Sequence, residues 1–172
     1  MSTTKFTCIK AIMLFIMIIC GSCKKYFDVE VDKGLLTADN IFNDDKSATS
    51  AIYGLYQTMV TGTFAGGSEN GIAALTGLSA DEFHNVLGEP PYVLYENNEL
   101  LADDDAIYSI WTSAYQAIYQ SNDILESLES SNGVTSGVRN QLKGESLFCR
   151  AFCYFYLANL FGEVPLIIST DY

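Results

Sequence analysis

Positive charge is scarce in this chain: nine Lys and Arg stand against 21 Asp and Glu, a formal net charge of −12. Phosphate contacts need clustered Lys and Arg, so no nucleic-acid partner is expected, and adhesion to anionic lipid head groups is disfavoured. Histidine is scarcer still, with one residue in the whole chain. Of five cysteines, Cys8 and Cys20 lie in the N-terminal 22 residues. Cys149 and Cys153 form a Cys-x-x-x-Cys pair with no histidine set to match, a poor metal site. Both sit in an apolar helical run and read as small buried hydrophobes. A disulfide between them suits an oxidising compartment, but helix geometry does not favour it. The N-terminal apolar run, Ala11 to Cys20, is far shorter than the roughly 20 residues of a spanning helix. The glycine-rich stretch 62–71 lacks a Lys in Walker spacing and a strand-to-helix frame, so it reads as a flexible loop rather than a phosphate cradle. No cofactor or metal is predicted.

What is present is most specific at the N-terminus. Lys5 and Lys10 precede the ten-residue apolar run, and Gly21-Ser22-Cys23 follow it. A basic start with a short apolar core fits a secretory signal. The run followed by Gly-Ser-Cys resembles the lipobox of bacterial lipoproteins, in which the cysteine is diacylated and becomes the first residue. Cys20, three positions before Cys23, departs from the usual aliphatic residue. The competing reading is an ordinary secretory signal with an incidental cysteine. The expected organisation is a signal peptide over 1–22, a lipid-anchored tether over 23–36 beginning at Cys23, and a helical domain over 37–172. Loss of Lys5 and Lys10 leaves seven Lys and Arg against the same 21 acids, a net of −14.

Along the mature chain, Asn43, Asp44 and Asp45 are cap or first-turn residues. Ala48, Ala51, Ile52, Leu55, Tyr56 and Met59 then recur at helical spacing, which predicts a helix over 45–61. A short helix is expected over 72–84, ending near Phe83-His84-Asn85. Residues 86–103, with Gly88, Pro90, Pro91 and Glu96-Asn97-Asn98-Glu99, read as a long loop, and loops of that length are often functional. Asp103-Asp104-Asp105 caps a strong helix whose stripe is Ile107, Trp111, Tyr115, Ile118, Tyr119, Asn122, Leu125 and Leu128. The three aspartates lack the glycine and closing Glu of an EF-hand. Asn122, on the apolar stripe, is expected buried and bonded to a neighbouring loop. A last helix is expected over 136–161. It is apolar nearly all round, which predicts neighbours on several sides. Its one central charge, Arg150, needs a carboxylate or carbonyl partner, and Glu145 or an acid from another helix would serve. Gly162 and Pro165 stop it. The apolar run-out to Tyr172 without a capping element leads to the expectation of an N-terminal part of a longer protein.

Three passages together resemble the SusD/RagB family of outer-membrane glycan-binding lipoproteins from Bacteroidetes: Cys23-Lys24-Lys25-Tyr26-Phe27-Asp28-Val29; Leu36 to Phe42 with Ala51 to Tyr56; and Gly144 to Leu166. The last, with Arg150-Ala151, Tyr154-Phe155 and Gly162-Glu163-Val164-Pro165-Leu166, is the most specific. The resemblance implies a mostly α fold of tetratricopeptide-like helix pairs, an α-α superhelix with long irregular loops. It implies a cell-surface lid, lipid-anchored in the outer membrane, that captures oligosaccharide or another nutrient and passes it to a SusC-like TonB-dependent transporter, with no catalytic residues.

Sugars present C–H faces that stack on aromatic rings and hydroxyls that bond to amides and carboxylates. Loop residues of those types are Phe83, His84, Asn85, Tyr92, Tyr95, Asn97 and Asn98, and these are the candidate ligand contacts. Trp111, Asn122 and Arg150 read as scaffold. Two rival functions remain: a surface glycan hydrolase using two carboxylates, with acids available at Asp81-Glu82 and Asp103 to Asp105, and a tetratricopeptide-like scaffold for a protein partner at the outer membrane. No carboxylate pair has a flanking apolar run that would raise one pKa.

Overall fold

The structure, a computed structural model, describes residues 41–171. The signal peptide, Cys23 and the 23–36 tether lie outside the described residues. Among the described residues the fold is wholly helical: α1 (Asp45–Thr61), α2 (Ile72–Ser79), α3 (Pro90–Glu96), α4 (Asp105–Ser130) and α5 (Ser136–Phe161).

Two of the three long helices start where their own sequence supplies a cap. The Asp44 carboxylate accepts from the Ser47 amide at 2.8 Å, which opens α1. The Asp104 carboxylate accepts from the Ala106 and Ile107 amides at 2.9 and 3.0 Å, which opens α4. Such caps satisfy orphan N–H groups of the first turn and are worth about 1 kcal/mol each. At α5 the cap comes from another helix: Asp45 accepts from the backbone amide and the hydroxyl of Thr135 at 2.7 and 2.8 Å. Gly162, with φ at +78°, ends α5 in a conformation that favours glycine.

α4 and α5 form an antiparallel hairpin joined by residues 131–135, with Trp111 near Phe161 at one end and Leu128 near Arg139 at the other. Arg139 closes the turn by donating to the carbonyls of Leu128, Ser131 and Val134. The turn touches the segment before α1: Ser131 Oγ donates to the Phe42 carbonyl at 2.6 Å. Gly133 fits because a Cβ there would lie 2.0 Å from the Asn43 carbonyl oxygen. α1 packs across both helices. The core joins Ala48, Ile52 and Leu55 of α1 to Ala114, Ile118 and Leu128 of α4 and Leu142, Cys149, Cys153 and Leu157 of α5.

Both cysteines are buried and free, and burial pushes the Cys153 thiol up to about 12. A thiol held neutral is a packing group rather than a nucleophile.

Asn122, fully buried, donates to the Ile167 and Ser169 carbonyls at 3.2 Å each. Its Oδ1 accepts from Arg150 at 2.7 Å, and Arg150 also reaches the Ile168 carbonyl at 3.4 Å. The chain after α5 is thus fastened to the hairpin by one amide and one guanidinium. Glu145 is not the Arg150 partner. Five residues along a helix turn through a net of about 140°, which puts the two on different faces. Glu145 instead accepts from the Tyr56 hydroxyl at 2.7 Å.

Three further expectations need correction. The short helix ends at Ser79 rather than near 84, because Asp81 adopts φ of +59° and the Glu82 and Phe83 amides both turn back to the Gly77 carbonyl. The expected 86–103 loop contains α3, started by Pro90 and Pro91; proline at the first helical positions has no amide to leave unsatisfied. And α5 is covered on one side only among the described residues: Leu142, Ser146, Cys149, Cys153 and Leu157 are buried, while Phe148 is 69% and Phe155 62% exposed.

Candidate functional site

Residues 62–104 hold two short helices and three connecting loops, and they carry the irregular surface of the fold. α2 and α3 pack on each other. Between them the chain loops out through residues 80–89, bounded by two left-handed residues, Asp81 at φ +59° and Gly88 at φ +64°. The base of this loop is fixed by Phe83, whose ring lies on Gly77; a Cβ at Gly77 would meet that ring at 2.4 Å. The Asn85 side chain donates to the Glu89 carbonyl at 3.0 Å, and the Gly88 amide donates to the Asn85 carbonyl at 3.2 Å. His84, the lone histidine, pairs through Nδ1 with Glu96 on α3.

This loop, α2 and α3 enclose an open groove of about 460 Å³. Phe83, His84, Asn85 and Tyr92 line it together, with Glu69, Ala74, Leu78, Val86, Leu87 and Glu89. Phe83 is half exposed, and Val86 and Leu87 at the loop tip are 84% and 81% exposed. The Tyr92 hydroxyl donates to Asn70 at 3.3 Å, and burial followed by the nearby Glu69 and Glu89 carboxylates pushes its phenol up. The groove therefore offers an aromatic floor, an amide and two carboxylates, which are the groups that bind hydroxyl-rich molecules.

The other three candidates lie elsewhere. Tyr95 is only 4% exposed and donates to Asp104 Oδ1 at 2.6 Å, which fastens α3 to the α4 cap. Burial and the Asp104 carboxylate push its phenol above the ordinary range. Burial works to raise the Asp104 carboxyl, but hydrogen bonds from Tyr95, Ile107 and Ala106 outweigh it and hold the carboxyl below its usual value. Asn97 is exposed and ends α3. Asn98, at φ +56°, donates to the Ser79 carbonyl at 3.1 Å. Tyr95 and Asn98 border a second, mostly apolar cleft of about 300 Å³ with Leu75, Leu100, Ile110 and Phe161. Glu69, Leu87 and Glu89 of the groove were not among the sequence candidates. They come from two loops, one on each side of α2, and loops carry no periodic signal for such a meeting.

Among the described residues, no group of three or more His, Cys, Asp or Glu is arranged to hold a metal ion, and no helix is long and apolar enough to cross a membrane. Trp111 packs edge-on against Phe161 at 5.1 Å and beside Tyr115 at 4.9 Å, a scaffold contact.

Comparison with known proteins gives consistent results. The family model for SusD-like proteins described as starch-binding and associating with the outer membrane matches residues 25–172. The SusD-like protein P25 of Formosa agariphila is 24% identical over 163 residues, which covers 90% of this chain and 30% of the relative. The SusD-like protein P2 of the same organism is 31% identical over 136 residues, covering 78% of this chain and 26% of the relative. The chain thus spans less than a third of the length of either. No solved structure matches. With a family match that runs from Lys25 to the last residue, over helices and loops alike, the chain belongs to the SusD-like family.

Proposed function

We propose that this protein is a glycan-binding lipoprotein of the outer membrane. Residues 1–22 direct export, Cys23 carries the lipid, residues 23–36 are the tether, and the helical domain captures an oligosaccharide for a SusC-like TonB-dependent transporter. The observation that carries this reading is the family match over residues 25–172 to proteins described as starch-binding and outer-membrane-associated. The groove supports it. Phe83 and Tyr92 supply rings for the apolar faces of a sugar, and Asn85, Glu69 and Glu89 supply partners for its hydroxyls. Binding rather than catalysis is the activity proposed. Asp104, the one half-buried acid of the Asp103–Asp105 run, is spent on a helix cap and the Tyr95 hydroxyl.

The test is a glycan screen on the full-length mature protein with Cys23 replaced by Ser to release it from the membrane. Saturable binding of at least one oligosaccharide that is recovered intact is the expected result. Hydrolysis of the bound glycan would move the assignment to the hydrolase reading, and no binding across plant, algal and microbial glycans would remove the glycan reading altogether.

A further inference from the structure

The groove between α2, α3 and the 80–89 loop has a one-sided charge, and we infer that it acts as a charge filter: it admits uncharged or amino-bearing glycans and rejects glycans carrying sulfate or uronate. This rests on the glycan-binding reading above and adds the substrate class to it.

The groove's ionisable side chains among the described residues are Glu69, Glu89, His84 and Tyr92, and no described Lys or Arg lines it. The His84 imidazole is paired through Nδ1 with Glu96, whose carboxylate offsets any charge the ring carries. Asp81 and Glu82, both exposed, stand at the base of the same loop and add to the negative field. The four cations among the described residues are employed or placed elsewhere. Arg139 closes the α4–α5 turn, Arg150 holds Asn122, Lys143 pairs with Glu129, and Lys46 lies in the first turn of α1.

Sulfate and carboxylate groups are recognised by Arg and Lys, which supply both charge and donors. Here an anionic sugar would meet two carboxylates and, among the described residues, no Lys or Arg. A neutral sugar meets the same carboxylates as acceptors for its hydroxyls, while its C–H faces find Phe83 and Tyr92. An amino group gains a charge-assisted bond to Glu69 or Glu89. Like charges across an interface act chiefly by excluding wrong partners. The chain's overall charge of −12 repels polyanions at longer range as well.

The experiment uses the full-length mature protein and two sets of three probes: maltohexaose with its 6-sulfated and 6-amino derivatives, and the same three forms of cellohexaose. Binding is measured at 20 mM and 300 mM NaCl. On the backbone that binds, the sulfated form is expected to be weaker than the neutral one by on the order of tenfold at low salt. The amino form is expected to bind at least as well as the neutral one. The sulfate penalty should shrink at high salt, where the Debye length falls well below 10 Å. In the Glu69→Gln/Glu89→Gln variant the ratio of neutral to sulfated affinity should approach one. Tighter binding of the sulfated form, or an unchanged ratio in the variant, would overturn the filter while leaving glycan binding in place. Failure of all six probes would overturn the filter, whereas only failure across the wider glycan screen would overturn the glycan reading as well.

Discussion

Replacing Asn122 by alanine should unfasten the chain that follows α5. The Asn122 amide donates to the Ile167 and Ser169 carbonyls and accepts from Arg150. Two neutral hydrogen bonds contribute about 1 kcal/mol each, and a bond to a charged donor about 1.5–3 kcal/mol. Part of the loss is offset. The Ile167 carbonyl keeps the Tyr154 hydroxyl at 2.8 Å, Arg150 keeps the Ile168 carbonyl, and its guanidinium is half-buried and open to water. A net cost of about 3 kcal/mol is therefore expected in urea unfolding of Asn122→Ala. The mechanism predicts more than a number. In a double-mutant cycle with Arg150→Met, which keeps the packing stem, the two changes should be non-additive by about 1 kcal/mol or more. Amide exchange of residues 167–170 should accelerate, even though Glu126 still holds the Thr170 amide at 2.9 Å. A cost below about 0.5 kcal/mol, or additivity within that margin, would refute the assignment of this amide as the fastener.

Other expectations follow from the same contacts. Asp104→Ala removes a helix cap and strands the buried Tyr95 hydroxyl, so it should cost about 2–4 kcal/mol; Tyr95→Phe alone should cost less, and thermal unfolding of the two variants and their combination checks the coupling. Because the folded Asp104 carboxyl is held below its ordinary value near 3.8, its contribution is present above that range and lost as pH falls through the folded value; stability of the native chain should therefore drop more steeply below roughly pH 4 than that of Asp104→Asn. Gly133→Ala should destabilise strongly, since the added methyl meets the Asn43 carbonyl at 2.0 Å, and its unfolding midpoint gives the size. Phe83→Ala should weaken glycan binding by about 0.5–1.5 kcal/mol, two- to tenfold, in calorimetry on the full-length protein.

How far the fold was legible depends on how local each signal is. α1 and α4 follow from apolar spacing and acidic caps, and α5 from its apolar run and the Gly162 stop, signals contained within a few turns of chain. α3 is hidden in the sequence because Pro90-Pro91 and Asn97-Asn98 are turn residues by composition; the prolines instead start the helix and Asn97 ends it. Asn122 was legible as a buried polar group because it interrupts an apolar stripe, and its loop partners were correctly expected. The Arg150 partner was legible only as a class. Choosing among acids and carbonyls needs the path of residues 162–171, which no periodicity reports. For the candidate site, residue type pointed to seven loop positions. The structure gathers Phe83, His84, Asn85 and Tyr92 in one groove and puts Tyr95, Asn97 and Asn98 elsewhere. That division is set by two left-handed backbone turns, one of them at an aspartate, a residue that tolerates the conformation without announcing it.

The central claim is that this chain is part of a surface glycan-capture device that works with a transporter. Co-purification tests it most directly: tag the full-length lipoprotein, solubilise the native outer membrane gently, and identify what remains bound. A large TonB-dependent β-barrel in near-stoichiometric amount is the predicted result. A protein that elutes alone, or with soluble partners only, would contradict the transporter role.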